Sequence, residues 1–359
     1  MLHSGRAEAS PVPSPSQPAI AGRAGDGRHP GATYTDAMPR IRLYRDGHFT
    51  DETVTLPEVS DRIAEPDTMV WIDVDDSTSD DLHTIAAELS LHPLAIEDAL
   101  ERAERPKLDR YNNHIFISAY RADARTTGGQ LSVDQVSAFV TDCAVVTVHD
   151  AGVGGLDDVA DRLAQHDDLG GGVGPLVWAL LDVLVDTQLA ASESMFTDVE
   201  TVEDAVFADN PDTRAVQRDA FALRKEGLRL RRVAVPMREV LTTLLRDEGE
   251  FVGPALDPYL RDVYDHVLRV TESLDTLRSL IDTVLDANAT TTGNRMNLVM
   301  KKVTSWAGII AVPTLVTGFY GMNVTFPLDG TIAGFWVSSS IAVASAVGLY
   351  ALFRRNDWL

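Results

Sequence analysis

The sequence predicts an α+β membrane protein. An N-terminal α/β cytosolic domain is followed by a long helical stalk that is continuous with the first of two C-terminal transmembrane helices. Three observations favour this fold class. Strand-like and helical patterns alternate over residues 69–149, a regular spacing of apolar residues begins after Pro258, and two uncharged apolar segments lie near the C-terminal end.

The first 37 residues are rich in proline, serine, glycine and alanine and contain no apolar stretch. We therefore expect a disordered tail over residues 1–37 rather than a signal peptide. Ordered sequence is expected from Met38, which is also a hypothetical start of the native protein. The single cysteine, Cys143, rules out an intrachain disulfide and fits a reducing cytosol.

The formal net charge of −23 is unevenly distributed along the chain. Residues 301–359 contain four basic and two acidic residues, a net charge of +2, so the first 300 residues carry −25. This acidity argues against a nucleic-acid partner, because phosphates require basic partners. It is typical of a well-solvated cytosolic domain or of one that concentrates cations.

The cytosolic domain is predicted over residues 38–257. Its patterns predict three strand-like runs, the last of them a hairpin that turns near Thr141-Asp142, and two helices before the first long helical region: Met69–Val74, His114–Tyr120, Gln130–His149, Asp80–Leu89 and Pro93–Ala103. It contains no Walker loop, dinucleotide fingerprint or recognisable nucleophile, so an enzyme is the least supported class. The nine histidines, including His266, form no close ligand pairs and are interpreted as structural.

The stalk is predicted over residues 258–302. Its apolar residues recur in alternating steps of three and four, which is a heptad pattern: Leu260, Val263, Val267, Val270, Leu274, Leu277, Ile281 and Val284. No glycine or proline interrupts the pattern after Pro258 until Gly293, and it continues into the first span. A helix over residues 258–320 would be about 95 Å long.

Two segments are long and apolar enough to cross a bilayer, whose core of ~30 Å needs about 20 helical residues. We assign transmembrane helices to residues 303–323 and 334–353, an extracytoplasmic loop to 324–333 and a cytosolic tail to 354–359. Four basic residues flank the spans: Lys301, Lys302, Arg354 and Arg355. The positive-inside rule therefore predicts a plasma-membrane protein with both termini in the cytoplasm.

One face of the long helix carries small or polar residues within an arc of roughly 60° at about 100° per residue: Asp286, Gly293, Asn297, Thr304, Ala311 and Gly318. Such a stripe indicates either close helix packing or a water-lined axis. Two helices cannot enclose an aqueous path, so conduction would require several copies of the chain. The spans contain no carboxylate, and neutral amides and hydroxyls can pass a hydrated dication.

The first span ends in Tyr320-Gly321-Met322-Asn323. Here the sequence resembles the CorA-type magnesium channel family, whose signature is Gly-Met-Asn at this place in a two-span C-terminal region. The resemblance covers most of the chain from about residue 40 and includes four further segments: His92–Asp98, Arg105–Lys107, Pro258–His266 and Asn294–Lys301.

The resemblance implies a homopentamer in which the first spans line a central pore, the second spans lie outside and the cytosolic domains form a funnel. It implies a selectivity filter at Gly321, Met322 and Asn323, where amides and carbonyls can hydrogen-bond the water shell of Mg²⁺. It also implies a regulatory Mg²⁺ between neighbouring subunits that holds the channel closed. Asp98 and Asp262 match its expected ligands, with Glu97 assisting.

The stripe and the resemblance together give the expected pore-lining residues: Asp286, Asn297, Val303, Thr304, Ala311, Thr314 and Gly318. Asp286 would collect cations at the inner mouth. Ala311 is small where relatives often have a bulky constriction, so a hydrophobic gate is wider there or lies at Val303 instead. No organic cofactor is expected.

The leading hypothesis is gated magnesium transport, with cobalt or nickel as further ions. One alternative is a zinc transporter of the same fold, against which Met322 counts, because such relatives usually replace this methionine. A second alternative is a membrane-anchored cytosolic sensor that does not conduct, and the polar stripe with Gly-Met-Asn counts against it.

Overall fold

The computed structural model describes a set of residues that all lie in the unit spanning residues 38–359: 39–45, 48–50, 52, 54–75, 80–101, 105–126, 130–150, 153, 156–166, 169–208, 211–246, 252–322, 328 and 331–359. The expected disordered tail over residues 1–37, the hypothetical start at Met38 and the filter residue Asn323 lie outside the described residues.

The N-terminal domain is built on a seven-stranded sheet of order β2-β1-β3-β7-β6-β5-β4. Its strands are β1 Arg40–Arg45, β2 His48–Phe49, β3 Thr68–Asp75, β4 Lys107–Arg110, β5 Ile115–Thr126, β6 Gln130–Val140 and β7 Ala144–His149. The pair β3–β7 is parallel and the other pairs are antiparallel. The predicted hairpin at Thr141-Asp142 is confirmed, because β6 and β7 flank this turn.

Eight α-helices accompany the sheet in the described part of the chain: α1 Val59–Ile63, α2 Asp80–Glu88, α3 Pro93–Leu100, α4 Asp157–Ala164, α5 Gly174–Phe207, α6 Thr213–Leu245, α7 Asp257–Tyr320 and α8 Ile332–Arg355. Local signals set several starts. The His92 side chain caps α3 ahead of Pro93, and the Asp212 carboxylate accepts from the first amides of α6.

The period-two alternation of the strands sorts their side chains between two cores. Met69 and Trp71 of β3 pack with α4, α5 and part of α7. Val70 and Ile72 of the same strand pack on the other face with α2 and α3. The sheet therefore lies between two helical layers, which agrees with the predicted α/β domain.

The heptad residues of α7 are all buried, each at most 4% exposed, and they pack against α5 and α6 of the same chain. These heptad residues, the stalk seam, thus hold α5, α6 and α7 together. The predicted continuity of stalk and first span is confirmed, because α7 is one helix of 64 residues with Pro313 inside it.

Among the residues that the structure describes, three helices are long and apolar enough to span a membrane, but their surroundings differ. The apolar window of α5 is 78% buried, whereas the windows of α7 and α8 are each only 6% buried. Apolar surface that is already covered by protein needs no lipid, so α5 is a core helix. The exposed apolar surfaces of α7 and α8 require a bilayer or further copies of the chain.

Candidate functional site

The predicted pore-lining residues lie along one exposed face of α7. Asp286, Asn297, Val303, Thr304, Ala311, Thr314 and Gly318 are all exposed. An adjacent face of α7 contacts α8; Ser305 is fully buried and a Cβ on Gly308 would lie 3.7 Å from the Phe353 ring. The stripe residues nevertheless remain exposed beside this contact.

Two grooves follow this exposed face. The one nearer the end of α7 has a volume of about 710 Å³ and is lined by Ala311, Thr314, Gly318 and Met322, among others. The other, of about 620 Å³, includes Asn297 and Thr304. The structure thus brings five of the seven predicted pore-lining residues into two successive concave surfaces.

Hydroxyl groups inside the first span are hydrogen-bonded to their own helix. The Thr314 hydroxyl donates to the Ile310 carbonyl at 2.7 Å, and the Thr317 hydroxyl donates to the Thr314 carbonyl at 3.0 Å. Because each proton is used within the helix, the oxygen lone pairs remain as acceptors. Thr314, which lines the groove, can therefore accept hydrogen bonds from the water shell of a cation.

The described part of the predicted filter lies where α7 ends. Gly321 is the C-cap residue, and its N–H donates to the Thr317 carbonyl at 2.9 Å. A Cβ at Gly321 would lie only 3.1 Å from that oxygen, so the close turn favours glycine. Met322 is 53% exposed. The last carbonyls of a helix carry partial negative charge, which suits cations at this end.

The predicted regulatory carboxylates are not in contact with one another in the described single chain. Asp98 on α3 forms a salt bridge with Lys107, whose Nζ lies 2.8 Å from Asp98 Oδ2. Asp262 on α7 has a side chain 69% exposed, and its Oδ2 lies 3.8 Å from His266 Nε2. Glu97 is exposed on α3. Each carboxylate is thus at or near the surface, where a second subunit could approach.

A cluster that the sequence interpretation missed joins α4, α5 and α7. The ligand atoms of Asp182, Asp186 and His266 lie within 4.8 Å of one another. His266 Nδ1 lies 3.0 Å from Asp186 Oδ1, and Arg162 forms salt bridges with both carboxylates. Asp182 is 4% exposed. Because the Arg162 guanidinium already forms ion pairs with both carboxylates, the cluster is better suited to structural ion pairing than to a dication.

The spacing of these residues is the signal that could have revealed the cluster. Asp182 and Asp186 are four residues apart, as are Asp262 and His266, so each pair shares one face of its helix. Only the packing of α5 against α7 shows that the two faces meet.

Comparison with known proteins agrees with this architecture. Residues 66–355 match the family model described as CorA-like Mg²⁺ transporter protein. The cobalt/magnesium transport protein CorA of Thermotoga maritima is 28% identical over 327 residues, which cover 89% of this chain and 90% of the relative. The cobalt/magnesium transport protein CorA of Methanocaldococcus jannaschii is 21% identical over 323 residues, covering 89% of this chain and 99% of the relative.

The fold is also found in solved structures. The complete structure of the CorA magnesium transporter from Methanocaldococcus jannaschii superposes with a TM-score of 0.74 at 20% identity. The match covers 91% of this chain and 100% of that one. It agrees with the predicted α/β domain and with the long helix that leads into the C-terminal apolar helices. With more than half of its length matched by the family model, the chain belongs to the CorA-like Mg²⁺ transporter family.

Proposed function

We propose that this protein transports divalent cations, Mg²⁺ foremost and cobalt or nickel as further ions, through a homo-oligomeric channel lined by α7. The observation that carries the proposal is the exposed small and polar face of α7, which α8 leaves uncovered. In a bilayer, polar groups such as Asn297 and Thr304 are favourable only against protein or water. Their arrangement along one face supports a shared aqueous axis.

The assembly we propose is a homopentamer in the plasma membrane, with α7 inside, α8 outside and both termini in the cytoplasm. One pair of spans cannot surround a path, and the apolar surface of α7 remains exposed in the protomer. The basic residues at the stalk end of α7 and at the end of α8 support the cytoplasmic orientation of that end.

The path we propose selects ions with their water shell largely intact. Mg²⁺ dehydrates reluctantly and prefers octahedral oxygen surroundings. Gly321, Met322 and Asn323 would form the filter, with neutral oxygens such as those of Thr314 and Asn297 along the way. The spans carry no carboxylate that would hold a dication tightly, and Asp286 would attract cations at the inner mouth.

The regulation we propose uses the acidic cytosolic domain. Asp98 and Glu97 of one subunit would face Asp262 of its neighbour, where a cytosolic Mg²⁺ turns repulsion between subunits into attraction and holds the channel closed. The exposure of Asp262 supports its access to a neighbour. The Lys107 ammonium at Asp98 would compete with the ion for that carboxylate.

Ion flux into proteoliposomes tests this function. We expect the wild-type protein to admit Mg²⁺ into vesicles that contain a magnesium-sensitive dye, and Asn323→Ala to lose most of that flux. Arg278→Gln on the exposed side of the stalk serves as the matched control and should behave as wild type. Absence of flux with the wild type would favour the non-conducting sensor, and zinc flux without magnesium flux would favour the zinc transporter.

A further inference from the structure

Two of the long helices carry opposite charge. Helix α5 contains seven acidic residues and no basic one, whereas α6 contains eight basic and three acidic residues, a net charge of +5. The first 300 residues together carry −25, so α6 is a basic helix within an acidic protein. Such a concentration of positive charge is favourable where a negative surface lies close to it.

The charges of each helix are gathered on one face. On α5 the exposed carboxylates of Glu193, Glu200 and Asp204 fall within an arc of roughly 40° at about 100° per residue. Arg218 of α6 is already paired with Asp219 of the same helix. Beside it, an arc of roughly 60° carries four further exposed basic side chains: Arg214, Lys225, Arg229 and Arg232. In the part of the chain that the structure describes, none of these four and none of the three carboxylates forms a salt bridge.

Both charged faces point away from the core that α5 and α6 form with α7. Met195 on the opposite side of α5 and Val216 on the opposite side of α6 are buried in that core. Phe221 and Leu228, each 49% exposed, lie beside the basic arc of α6, and Phe207 at the end of α5 is 68% exposed. Each chain therefore presents one acidic and one basic surface outward, as a heterologous contact that closes into a ring requires.

The charges of the two helices also lie at matching heights along the stalk. A Cβ on Gly227 of α6 would lie 3.6 Å from the Met195 side chain of α5 and 3.5 Å from the Leu277 side chain of α7. Because α5 and α6 are joined by a short connection and run in opposite directions, Glu193 is level with Arg229. Rotation about an axis along α7 leaves heights unchanged, so these two side chains of neighbouring copies are level as well.

The position of α5 and α6 on α7 suits a contact between copies. Val284 of the stalk seam lies about 160° around α7 from Asp286 of the exposed stripe. With the stripe on the axis of the proposed oligomer, α5 and α6 form the outer wall, where α6 of one copy lies next to α5 of another. Helix α6 packs lengthwise along the stalk, so its basic face does not lie flat on a bilayer.

We propose that the basic face of α6 binds the acidic face of α5 of a second copy of this chain, repeated around the ring. This interface rests on the proposed homo-oligomer and adds to it a contact that needs no metal ion. Asp262 lies about 22 Å from Leu277 along α7, so the interface lies between the proposed regulatory Mg²⁺ and the membrane. It would keep the stalks in one ring when Mg²⁺ leaves.

Cysteine crosslinking between copies tests the proposal with the full chain in detergent and Cys143→Ser as background. We expect Glu193→Cys/Arg229→Cys with a bismaleimide to give a ladder of covalent oligomers on a denaturing gel, equally in Mg²⁺ and in EDTA. The matched control Glu193→Cys/Arg214→Cys uses the same two faces with the thiols about 22 Å apart in height. Neither this control nor either single-cysteine variant should give a ladder.

Charge reversal separates electrostatic attraction from mere proximity. Adding Lys225→Glu/Arg232→Glu to the crosslinking variant should slow formation of the ladder by about tenfold, because repulsion replaces attraction between the two faces. Adding Glu200→Lys/Asp204→Lys as well should restore the rate.

The absence of a ladder from Glu193→Cys/Arg229→Cys, in protein that is oligomeric by mass measurement, would overturn the proposal. So would an equal ladder in the Arg214→Cys control, a ladder that requires Mg²⁺, or a second reversal that does not restore the rate. Protection of Arg229→Cys from a water-soluble thiol reagent only when phosphatidylglycerol vesicles are present would also overturn it, in favour of a membrane. None of these readouts uses ion flux, so a wild type that conducts Mg²⁺ without this crosslink would contradict the interface and leave the transport function standing.

Discussion

Asp73, in the middle of the sheet, is held by two neighbouring side chains of β7. Its Oδ1 accepts from the Thr147 hydroxyl at 2.6 Å and lies 3.1 Å from His149 Nε2. The Trp71 indole donates in turn to Thr147 Oγ1 at 3.0 Å. Burial alone would lower the pKa of His149, but the bond and charge of Asp73, with help from the Asp150 carbonyl and Asp75, raise it above its ordinary value.

This raised pKa predicts a pH dependence of stability. A histidine whose pKa is higher in the folded state stabilises the fold fully below its unfolded pKa of about 6.5, and the contribution is lost as pH rises through the folded value. We expect the thermal midpoint of the wild type to fall between neutral and mildly alkaline pH, and Asp73→Asn to lower the midpoint at pH 6 and to flatten that dependence.

Thermal unfolding of the full chain in detergent at several pH values measures this effect. His83→Gln is the control, because His83 is exposed on α2 and should leave the pH profile unchanged. If the thermal midpoint of Asp73→Asn changed with pH as steeply as that of the wild type, the Asp73–His149 pair would not be the cause of the pH dependence.

Lys107 gives a second prediction at the residue scale. Its ammonium lies 2.8 Å from Asp98 Oδ2 and 3.3 Å from Asp109 Oδ2, so the proposed regulatory Mg²⁺ at Asp98 would have to compete with it. We expect Lys107→Gln to lower the Mg²⁺ concentration that half-protects the N-terminal domain from protease. The factor should be about fivefold, because partly exposed pairs contribute on the order of 1 kcal/mol.

Two further variants serve as controls for the protease-protection measurement. Arg218→Gln removes a cation from an exposed pair on α6 and should leave the half-protecting concentration unchanged. Asp98→Asn should raise it strongly. If Lys107→Gln raised it instead, Lys107 would be positioning Asp98 for the ion rather than competing with the ion.

At the scale of elements, the heptad residues of the stalk seam pack α7 against α5 and α6. Leu277 is 1% exposed and packs with Met195 of α5, whereas Leu280, three residues further along α7, is 38% exposed. We expect Leu277→Ala to reduce the free energy of unfolding by about 2–5 kcal/mol. Leu280→Ala should cost well under 1 kcal/mol.

Chemical denaturation of the two variants, monitored by tryptophan fluorescence, provides the comparison. Trp178 on α5 is buried and reports on the packing of α5, α6 and α7. Equal losses of stability in Leu277→Ala and Leu280→Ala would mean that the seam does not hold the three helices together.

Some elements could be predicted from the sequence because their signals are local. The heptad residues from Leu260 to Val284 repeat without a fault, and the uncharged segments are bounded by basic residues. Three strands were not predicted: β1, and the short edge strands β2 and β4. A strand such as His48–Phe49 is two residues long, and only its partner across the sheet identifies it.

The site could be predicted only where neighbours in sequence share one helix face. The stripe from Asp286 to Gly318 could be found because the helix geometry of a single element places it. The cluster of Arg162 with Asp182 and His266 could not, because its members come from three helices. The sequence distinguishes α5 from the spans only weakly, since its mean hydropathy of 1.3 is close to the 1.4 of α7.

At the scale of the whole molecule, the protomer is incomplete as a channel. Its N-terminal domain has closed cores on both sides of the sheet. Its two apolar helices contact each other along one line and leave most of their surface exposed. Ala311 and Gly318 on α7 lie in a groove that α8 does not cover. We infer that copies of the chain meet around this face.

The central claim is that the stripe on α7 faces water in the assembled protein. It is tested by modification of Ala311→Cys with a membrane-impermeant, water-soluble thiol reagent during Mg²⁺ flux, in a background where Cys143→Ser removes the native thiol. Val343→Cys, whose position on α8 is 63% exposed, is the matched control. We predict that the reagent abolishes flux through Ala311→Cys and leaves Val343→Cys unaffected. Flux through Ala311→Cys that survives complete exposure to the reagent, while the wild type conducts, would contradict the account.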